Sequence, residues 1–219
     1  MSKTERETKS TTSSVQVKSL QATQVPLGIS LVYYSLALML LAIIGMFLSP
    51  FLLSGNPLLV VRAIVGLGFL VIVASVLSLI GTGLCLTAPD EMHGKKAIYI
   101  AVALDAAVIL INVASHFTTL PRLIVAIPNL LAIAGFVSFL VFLKHVGGFM
   151  GNNAITSQAE GALNLGIALV VVMVLSVVSL FVMPLAGALL SLLGSILGLV
   201  GFLRYARLLH DLKQAFARG

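Results

Sequence analysis

Six long apolar segments alternate with short polar or Pro- and Gly-containing stretches along this sequence. A helix needs about 20 largely apolar residues to cross the hydrocarbon core of a bilayer, and each segment has approximately that length. The pattern predicts an all-α, polytopic integral membrane protein with six transmembrane helices in three hairpins with short loops. The predicted spans lie at about residues 27–48, 58–87, 97–120, 122–143, 162–182 and 185–203.

The last two spans come from one continuous apolar stretch, residues 162–203, which is too long for a single crossing. Met183 and Pro184 interrupt this stretch near its middle. Because proline disrupts helix interiors, this position predicts a tight hairpin between two spans. A chain with five spans, in which one segment is re-entrant, is the structural alternative.

Polar segments flank the predicted bundle, which covers residues 25–205. Residues 1–24 are rich in Ser and Thr and contain no long apolar run, which predicts a polar, disordered N-terminal tail. Residues 144–161 form the longest predicted internal loop. Residues 206–219 combine basic and apolar positions at helical spacing, and they predict a basic amphipathic helix that continues the sixth span into the cytoplasm.

The distribution of Lys and Arg predicts how the chain is oriented. With a cytoplasmic N-terminus and six spans, only Arg62 and Arg122 lie on the outer side. Cytoplasmic loops carry such an excess of basic residues, whereas five spans would divide them almost evenly. We therefore expect both termini in the cytoplasm and the chain in the cell membrane, a bacterial inner membrane or its equivalent. The basic residues on the cytoplasmic side are Lys3, Arg6, Lys9, Lys18, Lys95, Lys96, Lys144, Arg204, Arg207, Lys213 and Arg218.

The composition excludes a soluble protein of this size. Of the 219 residues, 59% are hydrophobic and 9% are charged, and a soluble domain cannot cover its surface with so few polar groups. The net charge of +6 does not indicate nucleic-acid binding, because the basic residues lie mostly at span ends and in short loops. The expected partner is the lipid bilayer, with anionic headgroups at its cytoplasmic face. Cys85 is the single cysteine, so no intrachain disulfide can form.

The third span carries the candidate polar site. At 100° per residue, Asp105, Asn112 and His116 fall within roughly 40° of one another on one helical face. Asp105 lies roughly 12 Å inside the span, where an acidic residue is costly and normally faces the bundle interior or a cavity. Two interpretations remain. The face is either a path for protons or cations, or a packing seam in which Asp105 bonds to a neighbouring Ser75, Ser78 or Ser138.

A metal site is not expected on this face. Asp105 and His116 are about 16 Å apart along the helix axis, so they cannot share one ion. The sequence also contains no catalytic or phosphate-binding motif, so we expect neither an enzyme nor a bound cofactor.

Small residues recur on the last span at spacings that let two helices approach closely. They are expected to pack either within the bundle or between copies of the chain. These residues are Gly187, Ser191, Gly194, Ser195 and Gly198.

The basic C-terminal segment carries an apolar stripe from Tyr205 to Phe216. The simplest interpretation is a helix that lies against anionic headgroups, and the alternative is a docking helix for a soluble partner. Its basic residues are Arg204, Arg207, Lys213 and Arg218.

Two functions follow from these observations. The first is a structural or accessory subunit that assembles with itself or with a larger membrane complex. The alternative is a small proton- or cation-coupled transporter or channel that uses the polar face of the third span. The first is favoured by sequence, because Asp105 is the only acidic residue deep in a span and charged pathways usually need more than one ionisable group.

Overall fold

A computed structural model describes residues 18–52, 55–117 and 122–218. Within these ranges the chain is helical and contains no strand, and a short 3₁₀ turn, Cys85–Thr87, follows the second long helix. The long helices are α1 (Val25–Leu52), α2 (Pro57–Leu84), α3 (Lys95–Phe117), α4 (Arg122–Phe149), α5 (Asn153–Val182) and α6 (Pro184–Arg218).

Several of these helices have the length and composition of membrane spans, which confirms the predicted helical class. Five segments in the described part of the chain meet this criterion, and α3, which carries Asp105, is not one of them. Its 23 residues nevertheless rise about 34 Å. The five segments are Val25–Phe51, Leu58–Thr87, Leu131–Phe149, Asn153–Ser176 and Leu185–Ala217.

The predicted long loop at residues 144–161 is wrong, because nearly all of it is helical. α4 runs to Phe149 and α5 begins at Asn153. The turn between them uses Gly151 at a φ of 67°, and the Asn152 side chain caps α5 by accepting hydrogen bonds from two backbone N–H groups. The polar residues that suggested a loop lie at exposed or partly exposed positions of these helices instead. Lys144 and Glu160, for example, pair across the two helices at 2.8 Å.

The other boundaries shift less. Pro50 lies beyond the predicted end of the first span at residue 48 but within α1, and the turn centres on Gly55 and Asn56. Asn56 caps α2 by accepting hydrogen bonds from the backbone N–H groups of Leu58 and Leu59. The sixth span and the predicted C-terminal helix form one continuous helix, α6, because no breaker separates them.

The last part of the predicted N-terminal tail packs against the bundle. Residues 18–21 form a helical turn, and Leu20 is fully buried. The Gln21 side chain donates a hydrogen bond of 2.8 Å to the carbonyl of Phe216 near the end of α6. The two ends of the described chain therefore lie at the same end of the bundle. Residues 1–17 of the predicted tail lie outside the described ranges.

The six helices pack as three hairpins. The most extensive contacts are those within α1–α2, α5–α6 and α3–α4, as the short predicted loops required. α4 also packs well against α5, and α1 contacts α6. The contact between α2 and α3 is the least extensive of those between consecutive helices. Among consecutive hairpins, the first and second therefore have the least extensive contact.

A reciprocal glycine contact holds α1 against α2. A methyl group added at Gly28 would lie 2.5 Å from the Gly81 carbonyl oxygen, and one added at Gly81 would lie 2.8 Å from the Gly28 carbonyl oxygen. Cys85 packs beside this contact and is fully buried. Backbones of neighbouring membrane helices approach this closely only where side chains are absent.

The packed core occupies one end of the bundle, where α1 begins and α6 ends. We call it the basic end, because Lys95, Lys96, Lys144 and most basic residues of α6 lie there. Among the described residues, the main buried cluster combines side chains from the start of α1, α3 and α5 with others from the end of α4 and α6. Its largest fully buried members are Phe142, Leu20, Ile29, Met92, Ile98, Leu140, Leu143, Leu208, Leu209 and Leu212.

Candidate functional site

A cavity of about 750 Å³ lies in the middle of the bundle, next to the packed core of the basic end. Residues from all six helices line it. Most of its wall is apolar, so the few polar groups in the wall determine what it can bind.

Asp105 contributes a carboxylate to this wall from the middle of α3. The side chain is half-buried. Gly135 on α4 faces it, and a methyl group at that position would lie 2.9 Å from Asp105 Oδ1. Because Gly135 has no side chain, the Asp105 carboxylate fits against α4 without a steric clash. The sequence identified Asp105 as exceptional, but it gave no sign that Gly135 accommodates it.

No cation neutralises Asp105 within the described part of the chain. The ion pairs found there join Lys95 to Asp90 and Lys144 to Glu160, both at the basic end. The hydrogen bond with Asp90 raises the pKa of Lys95 and so favours the charged form of this lysine. The Asp105 carboxylate has no hydrogen-bond donor among the described residues.

The serines expected to hold Asp105 do not bond to it. Ser75 and Ser78 line the cavity, but the Ser75 hydroxyl donates to the Val71 carbonyl of its own helix at 2.9 Å. Ser35, another wall residue, donates in the same way to the Val32 carbonyl at 2.8 Å. Ser138 does not line the cavity. The packing seam predicted around Asp105 thus lacks the interhelical hydrogen bonds that would form it.

Asn112 and His116 share the predicted face of α3, but their side chains lie outside the described part of the structure. The described wall residues of α3 are Asp105, Val108 and Ile109. The backbone places positions 112 and 116 on the same face, about 10 and 16 Å beyond Asp105 along the helix axis.

Aromatic rings form the side of the cavity nearest the basic end. Tyr205 on α6 is buried and lies edge-on to Phe136 of α4, with ring centroids 5.0 Å apart. Tyr205 and Asp105 line the same cavity. Phe202 also contributes to the wall. The sequence placed Tyr205 only in an apolar stripe, because nothing in the local pattern of α6 reveals that α3 and α4 approach it.

The small residues of the last span pack within the chain, where the structure describes them. Ser176 of α5 donates a hydrogen bond of 3.0 Å to the Gly187 carbonyl. A methyl group at Gly194 would contact Val172 at 3.6 Å, and one at Gly198 would contact Leu169 at 3.9 Å. These glycines therefore belong to the α5–α6 contact. Ser195 is exposed, and the side chain of Ser191 lies outside the described part.

The apolar stripe of the C-terminal segment is covered by protein, so the prediction that it lies on lipid headgroups is wrong. An amphipathic pattern shows that one helix face is covered, but it does not identify what covers it. The stripe residues, all buried in the main cluster, are Tyr205, Leu208, Leu209, Leu212 and Phe216.

The basic residues of α6 have separate environments. Lys213 donates a hydrogen bond of 2.6 Å to the Tyr34 hydroxyl of α1, and its ammonium group lies 4.3 Å from the centre of that ring. Arg204 and Arg207 are exposed, so their predicted contact with anionic headgroups stays a prediction. The side chain of Arg218 is outside the described part.

The described residues contain no group of three or more His, Cys, Asp or Glu side chains that would hold a metal ion. Comparisons with known proteins suggest no function, so a function can be argued only from the site. No protein-family model matches the chain, and no curated protein and no solved structure matches it.

Proposed function

We propose that this protein is a small proton- or cation-coupled transporter whose central cavity uses Asp105 as its binding group. One observation carries the proposal: an acidic side chain with no described cationic partner lies in the wall of a cavity of about 750 Å³. Within a membrane, an ionisable residue costs about 2.5–3.5 kcal/mol on insertion scales, and such residues mark ion and substrate pathways.

The proposed topology has six spans, with both termini in the cytoplasm of a cell in whose membrane the protein resides. Two features support it. The helical turn that precedes α1 and the C-terminal end of α6 contact each other through Gln21 and Phe216. The basic residues also concentrate at that end, as expected for a cytoplasmic face.

The fit between Asp105 and Gly135 resembles a packing contact, and it is the structural feature in favour of the accessory-subunit interpretation. Two observations weigh against it. The carboxylate receives no hydrogen bond from a described residue of a neighbouring helix, and the described glycines suited to assembly are used between α5 and α6. A cavity in contact with the carboxylate is superfluous to packing, whereas transport requires it.

The test is charge movement in liposomes that contain the purified protein and are adsorbed to a solid-supported membrane. A jump in pH or in sodium concentration should give a transient current in the wild type, since a proton or Na⁺ binds inside the membrane field. Asp105→Asn should abolish the current while the protein keeps its size in mild detergent.

Asp90→Asn is the matched control, because it removes the same charge from an exposed loop, and the current should persist. A full-sized current from Asp105→Asn would contradict the proposal. So would its failure to assemble, which would make Asp105 a packing residue, as would the absence of current from the wild type.

A further inference from the structure

We infer that the cavity binds a lipophilic organic cation that enters sideways from the bilayer between α2 and α3. This inference rests on the proposed function and names its substrate class. It follows from two features of the cavity, the chemistry of its wall and the place where the wall is open.

The wall combines one negative charge with apolar and aromatic surface. Among the described wall residues, Asp105 is the only charged side chain, and none is Lys, Arg or His. Phe136, Phe202 and Tyr205 present rings in the same cavity. Cations with apolar substituents bind such sites through a carboxylate and through the faces of aromatic rings. The volume of about 750 Å³ lies within the range of ordinary small-molecule sites.

A divalent inorganic cation fits this wall poorly as a resident ligand. Ca²⁺, for example, takes about six to eight oxygen ligands, and Mg²⁺ demands a near-octahedral set. Besides Asp105, the polar side chains in the described part of the wall are the hydroxyls of Ser35, Ser75, Ser78 and Tyr205. The first two of these already donate to carbonyls of their own helices. An organic cation needs only charge neutralisation and apolar contact, and the wall supplies both.

The cavity is open between α2 and α3, where α3 covers α2 only in part. Ile72 and Val76 both line the cavity, yet 61% and 46% of their surfaces are exposed. The contact between α2 and α3 is also sparse. On the other side, the packed core of the basic end closes the bundle. In a membrane the opening faces lipid, so a ligand that partitions into the bilayer can enter there.

Binding of radiolabelled tetraphenylphosphonium to the purified full-length protein in a nonionic detergent tests the substrate class. We expect saturable binding that Asp105→Asn weakens about tenfold or more, since the charge partner is lost. Acidification should also weaken wild-type binding, because a proton and the cation compete for one carboxylate. Asp90→Asn should bind as the wild type does. Undetectable binding, or equal binding by wild type and Asp105→Asn, would overturn the inference.

A second variant tests the route. Ile72→Trp places a large side chain at the opening, and it should slow tetraphenylphosphonium association about threefold or more in liposomes with little change in equilibrium affinity. Ile80→Trp is the matched control, because Ile80 is an exposed α2 residue that does not line the cavity. Equal association rates in Ile72→Trp and the wild type would overturn the lateral route.

The two proposals fail in different ways. If the pH-jump current depends on Asp105 but tetraphenylphosphonium does not bind, the substrate class is wrong and the proposed function stands. If the wild type gives no current, the proposed function fails, and this inference fails with it.

Discussion

The two ends of the bundle differ in how their helices are held. At the basic end, large apolar side chains from different hairpins form the main buried cluster of the described residues. At the opposite end, large side chains such as Phe47, Phe51 and Leu185 are exposed. Buried side chains at that end include Ala42, Ser49 and Ser176, which are small. Large side chains thus pack the hairpins against each other at the basic end, whereas the buried residues named at the opposite end are small.

This difference explains where the cavity lies. Tight packing between hairpins stops near Tyr205, and the cavity begins there, with Asp105 in its wall. An end packed by large side chains beside an end with small buried residues would let hairpins move relative to one another while the protein stays folded, as the proposed transport requires. The exposed apolar side chains of the opposite end suit contact with lipid, which is as apolar as they are.

The largest expected effect comes from removing a large side chain at the basic end. Leu209→Ala should lower the free energy of unfolding by about 2–5 kcal/mol, because Leu209 is fully buried and its loss leaves a cavity in the cluster. Unfolding in mild detergent with increasing denaturing detergent measures this change.

Leu203→Ala is the control on the same helix, since Leu203 is exposed and borders no part of the main cluster. It should change the unfolding free energy by less than about 0.5 kcal/mol. If the two variants lowered the free energy of unfolding equally, burial of α6 side chains in the cluster would not contribute to stability as expected.

A smaller loss is expected where α1 and α2 cross. Gly28→Ala places a methyl group 2.5 Å from the Gly81 carbonyl oxygen and 2.9 Å from Cys85 Sγ, so the two helices must separate. The expected destabilisation is about 1–3 kcal/mol, the usual cost of overpacking. The same detergent titration measures it.

Gly83→Ala sharpens this test, because nothing lies within 4 Å of a methyl group at Gly83. Alanine favours helix over glycine by about 1 kcal/mol, so this control should be neutral or slightly stabilising. Destabilisation by Gly83→Ala as large as that by Gly28→Ala would mean that the close crossing is not what holds α1 to α2.

The sequence predicted the helices well, because each span needs a long apolar segment and short loops force consecutive helices to pair. It failed at residues 144–161, where polar residues at exposed and partly exposed positions of two helices resemble a loop. It also singled out Asp105, since an acidic residue in an apolar span stands out in any arrangement. Gly135 and Tyr205 could not be found in this way, because their importance depends on distances between helices that are remote in sequence.

The smallest expected effect concerns a surface bond at the basic end. Tyr34→Phe removes the hydroxyl that accepts a hydrogen bond from Lys213 and leaves the ring beneath the ammonium group. The loss should be about 0.5–1.5 kcal/mol, the net value of one hydrogen bond. Tyr99→Phe, which alters an exposed tyrosine of α3, should have no measurable effect. If Tyr34→Phe were as costly as Leu209→Ala, the stability of the basic end would depend on this polar link between α1 and α6 and not on its apolar cluster.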